Sequence, residues 1–118
     1  MADMAVTRIV PDITTDDIPR SRAFYRLLGL EEQMDLGWVV ILGPSDRPDV
    51  QLLLMGRDES APVNPDISIG VDDVDAAHET MVNAGVEIVH SLRDEPWGVR
   101  RFFVRDPNGK MVNIVQNV

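Results

Sequence analysis

Cysteine is missing altogether from the 118 residues. Its absence excludes disulfides, thiolate nucleophiles and cysteine-type zinc sites, and it suits a reducing compartment. Cations are scarce: 11 Lys and Arg stand against 20 Asp and Glu, for a net charge of −9. Phosphate recognition rests on clustered Lys and Arg, so nucleic acid is not an expected partner. No apolar run approaches the roughly 18 residues that span a bilayer, so a membrane is not expected either. Met1 to Thr7 has no basic start followed by a long apolar run, which reads as no secretory signal. These absences together point to a cytoplasmic protein.

What is present is an ordinary core composition, 44% hydrophobic, in a length that suits one domain. Two basic groups stand out, Arg20/Arg22/Arg26 and Arg100/Arg101/Arg105. The first reads as a solvated helix face. The second lies close to Trp97 and is open to a role in binding.

The chain repeats itself at an offset of 56 residues, the separation of Asp17 from Asp73. At that offset Asp16 meets Asp72, Ile13 meets Ile69, Leu28 meets Ala84 and Gly29 meets Gly85. Start, stop and preceding strand match together, which indicates duplication. Ile67, Ile69 and Val71 alternate with Asp66, Ser68 and Gly70, the period of a strand; Thr7 to Ile13 is the counterpart. A helix follows each, N-capped by Asp17 or Asp73, with Pro19 in the first turn. Ile18, Phe24, Leu27 and Leu28 form the expected buried stripe of the first helix, and Val74, Ala77, Met81 and Ala84 that of the second. Gly29 and Gly85 occupy C-terminal positions that favour a left-handed backbone.

Three strands then complete each half: about Glu32 to Leu36, Trp38 to Leu42 and Val50 to Met55 in the first, and about Glu87 to Val89, Val99 to Arg105 and Lys110 to Gln116 in the second. Asp106-Pro107-Asn108-Gly109 suits a type I turn between the last two. The pattern is α+β, two βαβββ modules forming a curved mixed sheet around a shared cavity. The expected organisation of residues 1–118 is one domain, with module one at about 5–56, a linker at about 57–64 and module two at about 65–118.

Three sets of residues carry a family resemblance. They are Asp17-Ile18-Pro19-Arg20-Ser21-Arg22-Ala23-Phe24-Tyr25 with Leu28-Gly29-Leu30; Val71-Asp72-Asp73-Val74-Asp75-Ala76-Ala77 with Ala84-Gly85-Val86; and Pro96-Trp97-Gly98-Val99-Arg100 with Asp106-Pro107-Asn108-Gly109-Lys110. Over nearly its whole length the chain resembles the vicinal-oxygen-chelate superfamily, which includes glyoxalase I, extradiol dioxygenases, methylmalonyl-CoA epimerase and metal-free proteins that sequester bleomycin or mitomycin. The resemblance implies the βαβββ fold and a homodimer. It does not choose among these functions.

In metal-dependent relatives, four His, Glu or Gln side chains hold one divalent ion on the concave sheet face. The matching positions here are Val10, Gln51 (or Leu53 if the register slips by two), Asp66 and Asn113. Valine cannot ligate, asparagine is a weak neutral ligand, and Asp66 is shorter than the expected residue. His78 reads as a partly exposed helix residue, and His90 as a lone histidine near a loop with no paired ligand. The expectation is therefore no metal and no cofactor.

Alternation places Trp38, Gln51, Leu53, Asp66, Ser68, Met111, Asn113 and Val115 on the concave face. Trp97 is expected in a loop, Ser91 to Gly98, as a pocket wall or an interface residue. Either Arg100 or Arg101 faces inward, since neighbours on a strand point oppositely, and the inward one is expected to pair with an anionic ligand group or with Asp66. The function that follows is metal-free small-molecule binding, as in drug-sequestering proteins. The alternative is a glyoxalase-, epimerase- or isomerase-type enzyme with Asp66 as its base or with an atypical metal site. A third reading is an interaction module with a vestigial cavity.

Overall fold

A computed structural model describes residues 4–118. Eight strands and two helices appear in the order β1 (Val6–Thr14), α1 (Ile18–Arg26), β2 (Glu31–Asp35), β3 (Val39–Gly43), β4 (Leu52–Met55), β5 (Ile67–Val71), α2 (Val74–Asn83), β6 (Ile88–Glu95), β7 (Val99–Arg105) and β8 (Met111–Asn117). This is the α+β pattern of two βαβββ modules, with a mixed sheet. The chain forms two compact units, Val10–Asn64 and Pro65–Val118, the second together with the chain up to Ile9. Strand β1 thus gives its start to one unit and its end to the other.

In the first unit, β2 pairs antiparallel with β3, β3 antiparallel with β4, and β4 parallel with β1. Val40, Leu42 and Leu54 are its buried centre, with Ile13, Ile18, Tyr25, Leu30 and Leu52 packed around them. In the second unit, β5 runs parallel to β8, and β7 lies antiparallel between β8 and β6. Phe102, Val104, Val112 and Ile114 meet Val74 and Ala77 of α2 there.

The repeated helix signals work as their chemistry dictates. The carboxylate of Asp17 accepts the Arg20 N–H and that of Asp73 the Ala76 N–H, each at 3.0 Å. Gly29 and Gly85 take φ of +89° and +76°, where a Cβ would be strained. The Asp106 turn closes through Gly109 N–H to Asp106 C=O at 3.0 Å, and the Asp106 carboxylate accepts the N–H groups of Asn108 and Lys110.

Two expectations about these elements fail. Phe24, Leu27 and Leu28 are not buried: they are 59%, 84% and 72% exposed. Helix α1 ends at Arg26, so the two leucines lie past its last full turn. Ile18 does face the core as expected, joined by Tyr25, seven residues on and hence on the same side of the helix. Likewise Ala84 is the exposed cap of α2, although Val74 and Ala77 are buried as expected. Second, the segment from Ser91 is not a loop: β6 continues to Glu95. Its pairing with β7 shifts register between Ile88 and His90 and again between His90 and Arg93. Such irregularities break the period-two pattern by which a strand is recognised.

The segment between the modules is also held by its own polar contacts. Asn64 Oδ1 accepts the Asp58 N–H at 2.8 Å, and Asn64 Nδ2 donates to Thr14 Oγ1 and to the Gly56 carbonyl.

Candidate functional site

Alternation gives the second unit's sheet two unlike faces. Phe102, Val104, Val112 and Ile114 point to the α2 side. Their neighbours Arg101, Phe103, Met111, Asn113 and Val115 therefore point to the other, and all five are buried. The register places His90 opposite Phe103, Phe103 opposite Asn113, and Asn113 opposite Ser68. Paired residues share a face, so these four make a row across β6, β7, β8 and β5. Asn113 Nδ2 donates to Ser68 Oγ at 3.0 Å.

Beside that row lies a buried ionic cluster. Arg101 Nη2 donates to Glu95 Oε2 at 3.0 Å, and its guanidinium stands 4.8 Å from the ring centroids of both Trp97 and Phe103. Such cation–ring contacts strengthen when solvent is excluded. Glu95 Oε1 lies 2.8 Å from Arg93 Nε and 3.6 Å from His90 Nε2. The last distance is too long for a hydrogen bond. Burial, and next the Arg101 charge, hold the His90 imidazole below its ordinary pKa, against an opposing pull from Glu95.

Arg101 is thus the inward arginine and Arg100 the outward one. Arg100 reaches Asp75 at 3.1 Å and Asp94 at 3.3 Å. Among the described residues the inward arginine is not paired with Asp66, which instead holds Met111; Arg101 pairs with Glu95, a residue expected in a loop. Asp66 is exposed, and its Oδ2 accepts the Met111 N–H at 2.8 Å while its own N–H reaches the Met111 carbonyl. Its carboxylate locks the start of β5 against β8.

The other expected site residues belong to the first unit. Val10 is 2% exposed. Leu53 sits in β4 opposite Asp12 and Ile41. Gln51 Nε2 donates to Gln33 Oε1 at 3.0 Å, at the rim of a cleft of about 480 Å³. Trp38 is half-buried, and its carbonyl accepts the Gly56 N–H. Two further open clefts in this unit flank α1 and involve none of the expected residues. His78 is half-buried against the Phe102 ring, with centroids 4.9 Å apart.

The four metal-equivalent positions hold one hydrocarbon, two neutral amides and one carboxylate. The Val10 side chain offers no donor atom, Gln51 and Asn113 donate through their amide nitrogens to Gln33 and Ser68, and the Asp66 carboxylate accepts a backbone N–H through Oδ2. Among the described residues no three His, Cys, Asp or Glu side chains gather as a metal site requires.

Sequence reasoning missed Glu95 and Phe103 and undervalued His90. Only the alternation of Val99 to Arg105 hinted at Phe103, and nothing in the local pattern marked Glu95 as buried.

The model of the Glyoxalase/Bleomycin resistance protein/Dioxygenase superfamily matches residues 5–114. A search of curated proteins gives no match. Among solved structures, a Legionella pneumophila protein described as an NAD-dependent benzaldehyde dehydrogenase is 17% identical, with a TM-score of 0.77 over 93% of this chain and 99% of that one. A glyoxalase/bleomycin resistance protein/dioxygenase superfamily member from Vibrio splendidus is 22% identical, TM-score 0.68, covering 96% and 100%. Streptomyces coelicolor methylmalonyl-CoA epimerase in complex with 2-nitronate-propionyl-CoA is 24% identical, TM-score 0.71, covering 97% and 99%. At these identities the likeness concerns the fold.

Proposed function

Because this chain belongs to the Glyoxalase/Bleomycin resistance protein/Dioxygenase superfamily, we propose that it binds a small molecule without a divalent metal and sequesters it. The observation that carries this reading is the donor set at the four metal-equivalent positions, Val10, Gln51, Asp66 and Asn113. It offers one hydrocarbon, two neutral amides and a single carboxylate that also accepts a backbone N–H. A Lewis acid needs three or four converging lone pairs.

The ligand face in this reading is the sheet surface of the second unit: Ser68, Met111, Asn113 and Val115, with Arg101 and Trp97 at its ionic end. Trp38, Gln51 and Leu53 are proposed as ligand contacts from the sequence alternation alone. Asp66 and Arg100 fall out of direct contact, the one tied to Met111 and the other to Asp75. The reading includes a cytoplasmic homodimer with no role for nucleic acid or membrane. In support, the net charge is −9 and no helix of the described residues is long and apolar enough to cross a bilayer.

A small-molecule screen read by thermal shift, with and without EDTA, tests the proposal. Hits that stabilise equally in both conditions, and weaken when Trp97 is replaced by Ala, are expected. Stabilisation that EDTA abolishes contradicts it.

One observation favours an acid–base enzyme of glyoxalase, epimerase or isomerase type instead. His90 is a buried imidazole with Glu95 3.6 Å away, its pKa lowered by burial, and an imidazole in its neutral form accepts protons. Turnover that vanishes in His90→Gln supports this reading over sequestration. Asp66→Asn separates the two candidate bases.

A further inference from the structure

We propose that Glu95 Oε1 is the exchanging contact of an acid-operated latch: while the His90 ring is neutral it holds Arg93, and once the ring is protonated it holds His90 and releases Arg93 to solvent. The device is separate from ligand binding and needs no ligand to operate.

The latch owes its geometry to the irregular pairing of β6. On a regular strand His90 and Arg93, three residues apart, would point to opposite faces. The register shift between them turns both to one face: His90 lies opposite Phe103, and Arg93 opposite Arg101. Glu95, two residues beyond Arg93, then reaches both. His90 Nε2 and Glu95 Oε1 are buried 3.6 Å apart, and neither has a hydrogen bond among the described residues. The 2.8 Å contact of Oε1 with Arg93 Nε is an ion pair without hydrogen-bond geometry. Buried polar atoms are normally hydrogen-bonded, so these two stand ready for a better arrangement. A neutral imidazole carries a single N–H on either nitrogen. The cation carries both, so Nε2 donates whatever the starting tautomer. An approach of about 0.8 Å then makes a charge-assisted hydrogen bond to Oε1.

Burial decides which guanidinium yields. The Arg101 side chain is 4% exposed, bonded to Oε2 and covered by the Trp97 and Phe103 rings. Stripping a buried cation of its counter-charge is strongly unfavourable. The Arg93 side chain is 54% exposed, so water solvates it when it leaves, and an exposed ion pair contributes little. The charges acting on the ring are Arg101, Glu95 and Arg93. Strands β8 and β5 add Asn113 and Ser68 to the row, both neutral. Farther along this face Arg105 pairs with Glu87 and Asp66 holds Met111, all three charged groups being exposed. Helix α2 packs on the other side of the sheet, where His78 meets Phe102. Burial and the Arg101 charge place the exchange on the acid side of 6.5.

NMR of the labelled full chain from pH 8 to pH 5 tests the latch, with circular dichroism to check the fold. The His90 ring nitrogens and the Nε–H groups of Arg93 and Arg101 are followed together. His90 should titrate with a midpoint below 6.5. The Arg93 Nε–H should shift, and exchange faster with water, with that same midpoint, while the Arg101 Nε–H stays in place. In Arg93→Gln the His90 midpoint should rise, because one repelling cation is gone and Oε1 is released. In His90→Gln the Arg93 signal should be flat over this range. If His90→Gln does not fold, the natural chain and Arg93→Gln decide. A His90 titration that leaves Arg93 unmoved, release of Arg101 instead, an unmoved or lowered midpoint in Arg93→Gln, or unfolding before His90 titrates overturns the proposal.

Discussion

Arg101 and Glu95 meet at 3.0 Å with the arginine side chain 4% exposed and the carboxylate fully withdrawn from solvent. Glu95 also takes Arg93 at 2.8 Å through its other oxygen. One carboxylate thus answers two guanidiniums at the junction of β6 and β7, and Trp97 and Phe103 close over the inner one. The ionic end of the candidate face is set by this arrangement.

Removing Glu95 should be among the most damaging single changes in the chain. Glu95→Ala leaves Arg101 buried without that counter-charge, and such losses cost about 3–5 kcal/mol. Urea denaturation at pH 7.5 measures the loss. A cost below about 1 kcal/mol, the scale of an exposed ion pair, would mean that the cluster is wetter than its burial indicates.

Stability should fall in mild acid, and His90 should account for part of the slope. Burial and Arg101 hold its folded pKa below the ordinary 6.5. As pH falls through 6.5 the unfolded chain takes up a proton that the folded chain refuses until lower pH. The unfolded state then binds more protons, so the free energy of unfolding declines as pH drops. His90→Gln should flatten the difference between pH 7.5 and pH 5. Parallel pH profiles for the natural chain and the variant would contradict the assignment.

Much of the fold was legible because its signals are local. The duplicated caps Asp17 and Asp73, the glycines after each helix and the alternation of Ile67 to Val71 each depend on a few neighbouring residues. Failures arose where the deciding fact was distant. Phe24, Leu27 and Leu28 look like a core stripe until the helix is seen to end at Arg26 and Tyr25 to take the inner side. The bulged pairing of β6 hid a strand inside an apparent loop, and with it the burial of His90 and Glu95. That one of Arg100 and Arg101 faces inward followed from alternation; which one, and with what partner, required the register of β6 on β7. Ser68 and Asn113 were expected on one face and do share one, but their bond depends on the parallel pairing of β5 and β8.

The exposed leucines offer a contrast with the core. Leu27→Glu should change stability by no more than about 0.5 kcal/mol, as for other surface substitutions. Phe102→Ala, at a position with no exposure, should cost about 3–5 kcal/mol. Chemical denaturation of both variants checks the pair. A large loss from Leu27→Glu would mean that the side chain is covered in solution, and sedimentation velocity of the same variant would then show whether a second copy covers it.

Metal content is the most direct measurement of the central claim. Untagged protein, purified without chelator and dialysed against low micromolar Ni²⁺, Zn²⁺, Mn²⁺ and Fe²⁺, should carry far less than one ion per chain by inductively coupled plasma analysis. Its melting temperature should not move with any of them. One stoichiometric ion that is lost in both Asp66→Ala and Asn113→Ala would contradict the account and return the chain to Lewis-acid chemistry.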